Sequence, residues 1–318
     1  MDSAVQVARR WTTLDPLLPH QAPLPHGCGT AFTAAASDGP TVAASCAHWQ
    51  GTPGSLELTW GAARRFRLTA HVPGPDVTHG LDGLLSRWRE HLARVPGTDD
   101  QDSSAVVTWP SRDADGVKAL LRHGLTPLSV LAARVTSRHQ ADPPTPSTTT
   151  RNARIRRASP ADAQAVLRLG LETIRYDACF GVVTERPDTA QALHNTAAEA
   201  LAGPEPWVWL AERDGHPAGM VWVQPPDATG WIAPMTRLTP VAYILLMGIS
   251  AGHRGHGTGA ALAAQAHHTI RAAGIAVTLL HYALPNPLSM PFWSAHGYRP
   301  LWTIWETRTA SWRQHATR

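Results

Sequence analysis

The sequence predicts an α/β (α+β) fold made of two tandem domains, each a mixed twisted sheet flanked by helices. The first observation is the stretch 139–152, HQADPPTPSTTTRN, which has no large apolar side chain and is typical of an extended, solvated linker. It divides the 318 residues into two halves of similar length, 1–138 and 153–318. The second observation is an internal repeat. The third is a buried strand in the second half that runs into a glycine-rich turn and a helix.

The internal repeat relates residues 105–134 to residues 276–308. Both segments begin with a β-branched run, continue through a polar break and a short helical segment, and reach the pattern His-Gly-x-x-Pro-Leu. A strand–helix–strand unit that is used twice favours tandem copies of one fold. His-Gly-x-x-Pro is also an ordinary signal for the end of a helix, so chance similarity is the alternative explanation.

The first half has the patterns of several strands followed by a helix. Strands are predicted at 29–36, 41–49 and 55–60, and the turn signal Ser-Asp-Gly at 37–39 joins the first two. Apolar residues then recur at helical spacing over 81–88, which predicts an amphipathic helix. The repeat unit follows and closes the first half.

The second half alternates strands and helices in a readable order. Ser159, Pro160 and Asp162 form a capping signal, because serine caps a helix and proline is preset for its first position. Glycines at the ends of several apolar runs mark helix stops. An amphipathic helix is predicted through Val166, Leu167, Leu171 and Ile174. Strands are predicted at 154–157, 207–213, 218–224, 241–249, 277–282 and 301–307, and further helices at 188–202, 260–273 and 287–296.

The composition excludes several classes of protein. The net charge of +4 is spread along the chain without a dense basic block, so we expect no nucleic-acid partner. No apolar run approaches the roughly 20 residues that span a bilayer, and the N-terminus carries no secretory signal, so we expect a cytoplasmic protein without membrane contact. Cys28, Cys46 and Cys179 lie far apart and fit reduced thiols. The 17 histidines show no HxxxH pair with a nearby acid, so we expect no metal site.

The glycine-rich turn at 254–259, RGHGTG, is the motif that carries chemistry. Its glycines let successive backbone N–H groups converge, and the following helix adds its positive end, which together favour a phosphate or pyrophosphate. A P-loop is excluded because Lys118 is the only lysine. A dinucleotide fingerprint is excluded because the acid it needs would fall near Leu280 and His281, where none exists. Two alternatives stay open: the Arg/Gln-x-x-Gly-x-Gly/Ala turn of CoA-dependent acyltransferases, and a βα turn without a ligand.

Two segments resemble one known family at its usual spacing. The first is MGISAGHRGHGTG at 247–259, and the second is NPLSMPFWSAHGY at 286–298, with an apolar strand between them. On these motifs, residues 154–308 resemble a GCN5-related N-acetyltransferase (GNAT) domain. The resemblance implies the α/β GNAT fold and acetyl-CoA, or another acyl-CoA, as co-substrate.

The family's use of these positions implies a set of cofactor-binding residues. A strand bulge near Met247, Gly248 and Ile249 would expose backbone groups to the pantetheine amides. The turn would hold the pyrophosphate, and the asparagine of the second motif would lie near the pantetheine arm, although it also fits a helix cap. The remaining residues of the implied binding set are Arg254, Gly255, His256, Gly257, Thr258, Gly259, Asn286 and Trp293.

The sequence departs from the family pattern at two catalytic positions. Trp293 stands where the family usually has a tyrosine acid, and indole N–H is a hydrogen-bond donor but no practical acid. The strand at 241–249 lacks the frequent glutamate base. We therefore predict His281 as the base and Tyr282, with Tyr243, as a weaker acid candidate. The alternatives are a hydrogen-bonded core or rim histidine and ordinary aromatic packing.

The predicted function is acyl-CoA-dependent N-acylation of an amine on a small molecule or natural product. The first half has no phosphate turn before its helix, so we interpret it as a degenerate copy that shapes the substrate cleft. Two alternatives remain, a CoA-binding protein without transferase activity and a mycothiol-synthase-like acetyltransferase. A monomer and a homodimer fit the sequence equally well.

Overall fold

The computed structural model describes residues 3–20, 29–36, 39–136, 149–150 and 153–314. Most of the predicted linker lies outside the described residues, as do Cys28 and the turn residues Ser37 and Asp38. The described residues form one mixed sheet of twelve strands with helices on both faces. The predicted α/β class is therefore confirmed, whereas the linker and the domain boundaries at 139–152 stay predictions.

The described residues of the first half form three α-helices, one 3-10 helix and five strands. The strand predicted at 55–60 is wrong, since residues Leu56–Thr59 form a 3-10 helix. The prediction failed because a short alternating apolar run does not by itself distinguish a strand from a turn. An N-terminal helix and the strand Arg64–His71 were not predicted. The elements are α1 (Ser3–Leu14), β1 (Thr30–Ala36), β2 (Gly39–Gln50), β3 (Arg64–His71), α2 (Val77–Leu92), β4 (Ser103–Pro110), α3 (Ala114–Arg122) and β5 (Thr126–Val135).

The second half follows the predicted order closely. The capping box is present, since Asp162 accepts hydrogen bonds from both the backbone N–H and the hydroxyl of Ser159. The elements are β6 (Thr149–Thr150), β7 (Ala153–Arg157), α4 (Ala163–Ala178), α5 (Thr189–Ala202), β8 (Val208–Arg213), β9 (His216–Gln224), β10 (Val241–Ile249), α6 (Thr258–Ala272), β11 (Val277–Ala283), α7 (Ser289–Ala295), β12 (Arg299–Arg308) and α8 (Thr309–Gln314).

The two halves exchange their last strands. The strand order is β1-β2-β3-β4-β12-β5-β11-β10-β9-β8-β7-β6, so β12 lies between β4 and β5, and β5 lies between β12 and β11. The exchange is symmetric. Thr126 of β5 and Arg299 of β12 hold the same position in the repeat, directly before its proline, and Thr126 pairs with Glu306 of β12 just as Arg299 pairs with Ala133 of β5. The units β4-α3-β5 and β11-α7-β12 are thus equivalent, which confirms the internal repeat and joins the halves into one continuous sheet.

Helices cover the second-half strands on two faces. We call the face against α6 and α7 the back face and the face against α4, α5 and α1 the front face. Ile244 of β10 packs on the back face, whereas Tyr243 packs on the front face with α1. Leu245 contacts both front-face clusters, that of α1 and that of α4 and α5. The first half therefore contributes α1 to the core of the second.

Candidate active site

Strands β10 and β11 diverge, and the site begins at that divergence. They pair in parallel only from Val241–Val277 to Ile244–Leu280. On its other edge β10 has a register shift against β9 between Ile244 and Leu246, a β-bulge that bends the strand. Beyond this point, the β11 side of β10 has no ladder partner among the described residues, so backbone groups face an open wedge.

A cavity of about 520 Å³ lies in this wedge. Ten of the eleven predicted cofactor-binding residues line it; His256 does not, and its Nδ1 lies 2.6 Å from the Arg254 carbonyl oxygen. The structure thus gathers residues from two motifs that are about thirty positions apart. The lining consists of Thr173, Tyr176, Asp177, Met247, Gly248, Ile249, His253, Arg254, Gly255, Gly257, Thr258, Gly259, Ala260, Asn286, Leu288, Ser289, Phe292, Trp293 and His296.

The glycine turn requires glycine for its backbone conformation. Gly255 and Gly257 have φ of 79° and 78°, in the left-handed region, and an added Cβ would meet nothing within 4 Å at either position. Gly257 is also the N-cap of α6, so the first N–H groups of the helix border the cavity. The side chain of Arg254 is held by contacts outside the turn, because its Nε donates to the Ile249 carbonyl at 3.0 Å and its guanidinium lies 4.7 Å from the centre of the Tyr176 ring.

Helix α4 forms a wall that the sequence did not predict as part of the site. Glu172 accepts from Ser250 Oγ and from the Ala251 backbone N–H, both at 2.8 Å, and so ties α4 to the turn. The helix approaches β10 closely at Gly248, where a Cβ would lie 2.0 Å from Thr173 Oγ1. The sequence signal that could have indicated this wall is the run of polar residues in the last turns of α4. Such a run does not specify which other segment of the chain the helix contacts.

Asn286 connects α7 to the α4 wall. Its side chain is buried at 2% exposure; Oδ1 accepts from the backbone N–H groups of Leu288 and Ser289, and Nδ2 donates to Asp177 Oδ1 at 2.9 Å. The predicted N-cap position is wrong, because Leu288 is the N-cap of α7, and Asn286 instead bonds the backbone of the turn that leads into the helix. Burial raises the pKa of Asp177, while the hydrogen bond from Asn286 opposes that effect. Asp177 is a carboxyl group at the cavity that sequence reasoning missed.

Trp293 reaches the cavity from the back-face core. It is 7% exposed and makes edge-to-face contacts with Phe292 and Tyr298, at ring-centroid distances of 4.9 and 5.1 Å. The aromatic side chain therefore fills the floor of the wedge by packing.

The two predicted catalytic residues lie on opposite faces of β11, and neither lines the cavity. Tyr282 is buried in the back-face core, and burial raises the pKa of its hydroxyl. His281 is exposed on the front face, immediately after the last residue that pairs with β10, and its Nδ1 lies 2.9 Å from Tyr243 Oη. The surrounding protein lowers the pKa of His281 by excluding water from part of the ring. A neutral imidazole therefore stands at the apex of the wedge.

The equivalent position in the first half differs in charge. Asp76 is the N-cap of α2, and its carboxylate accepts from the His79 backbone N–H at 3.1 Å. A carboxylate at that helix end repels a phosphate and occupies the His79 N–H, one of the groups that would bind it. No group of three or more metal-ligating side chains occurs within the described ranges. None of the helices described is long and apolar enough to cross a membrane.

Comparison with known proteins agrees with this geometry. The family model described as the acetyltransferase (GNAT) family matches residues 172–298, a span that holds the glycine turn, the α4 wall and Asn286. Residues 172–298 therefore match the GNAT acetyltransferase family, whose members bind an acyl-CoA. No curated protein sequence matches the chain.

Solved structures are similar to this chain at low sequence identity, and the first two below, with TM-scores above 0.5, share its fold. A GCN5-related N-acetyltransferase from Sphaerobacter thermophilus is 15% identical, with 88% of this chain and 80% of that chain covered and a TM-score of 0.56. A glucosamine N-acetyltransferase region of a fungal multi-domain GH3 β-N-acetylglucosaminidase is 12% identical, covering 96% and 37%, with a TM-score of 0.55. A tandem GNAT protein from the clavulanic acid biosynthesis pathway is 17% identical, covering 95% of each chain, with a TM-score of 0.45.

Proposed function

We propose that this chain transfers the acyl group of acetyl-CoA to an amine of a small molecule. The observation that carries the proposal is the wedge between β10 and β11, which has an open backbone edge on one side and a left-handed glycine turn at a helix N-terminus on another. These are the two features that a pantetheine arm and a pyrophosphate need. The proposal includes the donor, the acceptor class and the residue roles.

The donor occupies the cavity in an extended form. The pantetheine amides pair with the open edge of β10 at Met247–Ile249 as an added strand would. The pyrophosphate lies on the N–H groups of the turn and the first turn of α6, where the helix dipole favours negative charge. The acyl end then lies towards the apex of the wedge, next to the first unpaired residues of β10 and β11.

The reaction needs a neutral amine and a base. The amine nitrogen attacks the thioester carbonyl carbon, a C–N bond forms, the C–S bond breaks, and CoA leaves as a thiolate. The proton that the amine loses goes to His281, directly or through water, because its lowered pKa keeps the imidazole neutral near pH 7. In this role the Nδ1–H of His281 donates to Tyr243 Oη at 2.9 Å, which fixes the ring and leaves Nε2 to take the proton. Trp293 supplies no proton, so the thiolate leaves unprotonated or takes a proton from water.

The acceptor approaches on the front face. Trp231 is 56% exposed there and contacts the Tyr243 ring edge-to-face at a centroid distance of 5.0 Å. Trp209 and Trp222, by contrast, are buried core residues. Trp231 is therefore the tryptophan that we propose to contact an acceptor beside His281.

A CoA-binding protein without transferase activity is the second candidate. Trp293 at the position of the family's usual tyrosine is the observation that favours it. The two candidates share the donor site and differ in whether an amine is consumed. Release of free CoA thiol from acetyl-CoA in the presence of a panel of primary amines separates them.

A pair of variants at Gly257 tests the donor site. Gly257→Asp and Gly257→Asn carry the same backbone strain and nearly the same shape, and both side chains suit a helix N-cap, so both variants should fold. The aspartate adds a negative charge at the pyrophosphate position. Acetyl-CoA should raise the melting temperature of wild type and Gly257→Asn but not of Gly257→Asp. An equal shift in both variants would overturn the assignment of the turn.

A further inference from the structure

The connection between α4 and α5 crosses from the second half onto the first, and one arginine holds it there. Arg186 donates from Nη1 and Nη2 to the two carboxylate oxygens of Asp102, at 2.7 and 3.1 Å. It also donates from Nε to the Leu58 carbonyl at 2.8 Å and from Nη2 to the Gly61 carbonyl at 3.0 Å. One guanidinium in the second half thus bonds three separate points of the first half.

Neighbouring contacts make this junction specific. The Thr59 and Thr189 hydroxyls lie 3.2 Å apart in a buried position, and the Thr184 backbone N–H donates to the Thr59 carbonyl at 2.9 Å. Asp102 also accepts from the Ala63 backbone N–H at 3.1 Å, so a hydrogen bond within the first half helps to hold its carboxylate in place. Burial works to raise the pKa of Asp102, but the hydrogen bond and charge of Arg186 outweigh it, and the net pKa lies below its usual range.

The same connection begins at the cavity. Tyr176 and Asp177, in the last turn of α4, line the cavity, and Arg186 lies only nine residues after Asp177. Between them, the chain passes Leu128 of β5 at Gly181. Leu128 in turn accepts a backbone hydrogen bond from Leu284, which immediately follows β11, at 3.0 Å. The front wall of the cavity is therefore continuous with the segment that Arg186 anchors.

We propose that Arg186 is a positioning residue that fixes the front wall of the cavity, the last turn of α4 with residues 179–188, through its contacts with the first half. The inference rests on the proposed function, since the wall borders the side from which the acceptor arrives. This positioning role gives the first half a part in acceptor binding, although the N-terminus of its helix α2, capped by Asp76, is unsuited to binding a phosphate. The glycine turn contacts α4 at Glu172 and Tyr176, but its backbone conformation comes from Gly255 and Gly257 and its bonds to Glu172 precede the last turn of α4, so we expect it to keep its place without Arg186.

Arginine is the residue type that this junction needs. A planar guanidinium bonds a carboxylate with two parallel N–H groups while a third N–H reaches a carbonyl, and a lysine ammonium cannot reproduce that fork. Two of the acceptors are backbone carbonyls, which Arg186→Lys leaves without their present donor. The variant keeps the charge and so should fold, while the wall loses its fixed position.

Arg186→Lys is the test, with Arg122→Lys as its matched control. Arg122 also bonds an aspartate, because its Nη1 donates to Asp82 at 3.0 Å, but it lies exposed in the last turn of α3 and does not line the cavity. Arg186→Lys should raise the KM for the amine roughly tenfold or more, the equivalent of one or two lost charged hydrogen bonds. The calorimetric Kd for acetyl-CoA should change less than about twofold, and Arg122→Lys should change neither constant.

Amide hydrogen exchange in the ligand-free protein gives a readout that needs no activity. Arg186→Lys and Asp102→Asn should each speed exchange in residues 176–188 and leave residues 250–260 unchanged, and the double variant should add little to either. Unchanged exchange in 176–188, or an acetyl-CoA Kd weakened as much as the amine KM, would overturn the proposal. If wild type transfers no acyl group to any amine, the proposed function fails, and the exchange data still decide whether Arg186 fixes the wall.

Discussion

The contact between Gly248 and Thr173 predicts the effect of a single methyl group at the cavity. A Cβ on Gly248 would lie 2.0 Å from Thr173 Oγ1 and 3.3 Å from Thr173 Cβ, both closer than ordinary van der Waals contact. Thr173 Oγ1 also donates to the Leu169 carbonyl at 2.9 Å, so it is held in place by its own helix. Gly248→Ala should therefore lower the free energy of unfolding by about 1–3 kcal/mol, the usual cost of overpacking.

Urea denaturation of four proteins measures this effect: wild type, Gly248→Ala, Thr173→Ala and the double variant. Thr173→Ala removes the atom at 2.0 Å and leaves only the contact at 3.3 Å, which small shifts relieve. The double variant should recover about 1–2 kcal/mol relative to the sum of the single changes. A Gly248→Ala variant within about 0.5 kcal/mol of wild type, or additive effects, would refute the close packing of α4 on β10.

Four further predictions concern chemistry and binding. His281→Ala should lower turnover roughly 10²–10⁴-fold and remove the acidic limb of the pH–rate profile. That limb lies below pH 6.5, the ordinary pKa of histidine, because the surrounding protein lowers the pKa of His281. An intact profile would contradict the role of His281 as base. Burial lowers the pKa of His267 to about 3, so below about pH 6.5 the unfolded chain binds a proton that the folded chain excludes. The melting temperature should thus fall between about pH 7 and pH 5, with a smaller fall in His267→Gln. Calorimetry should give one acetyl-CoA site per chain, because Asp76 occupies the helix end in the first half; two sites would show that the first half is not degenerate. Trp293→Phe should keep most of the turnover, since no proton donor is lost, and a loss of more than about a hundredfold would mean that the indole has a direct role.

Local sequence signals predicted most of the second half because their physical causes are local. The left-handed conformations at Gly255 and Gly257 and the capping box at Ser159 depend on a few neighbouring residues. The bulge expected near Met247 lies between Ile244 and Leu246, so the motif placed it to within a few residues. The run 55–60 was misassigned because its alternating apolar residues Leu56 and Trp60 pack against α4 and α5, which no local pattern indicates.

The candidate site was predicted in part for the same reason. The residues of the two motifs carry their own spacing and meet at the cavity, although their roles in binding acyl-CoA stay predictions. Asp177 and Glu172 were missed, since each becomes a site residue only by contact with a segment far along the chain, Asn286 for one and Ser250 for the other. The face that His281 presents could not be fixed either, because strand register decides it.

The sequence by itself determined the α/β class, the internal repeat, the glycine turn and the lack of a comparable turn before the helix of the first half. Each of these follows from backbone preferences or residue types within one short segment. Only the tertiary structure decided that β5 and β12 exchange places, that α1 packs on the strands of the second half, and that Arg186 reaches Asp102. Those features come from pairing between segments separated by about 80 to 270 residues, where many partners satisfy the same hydrophobic and hydrogen-bonding requirements, and the choice among them depends on packing the whole chain at once.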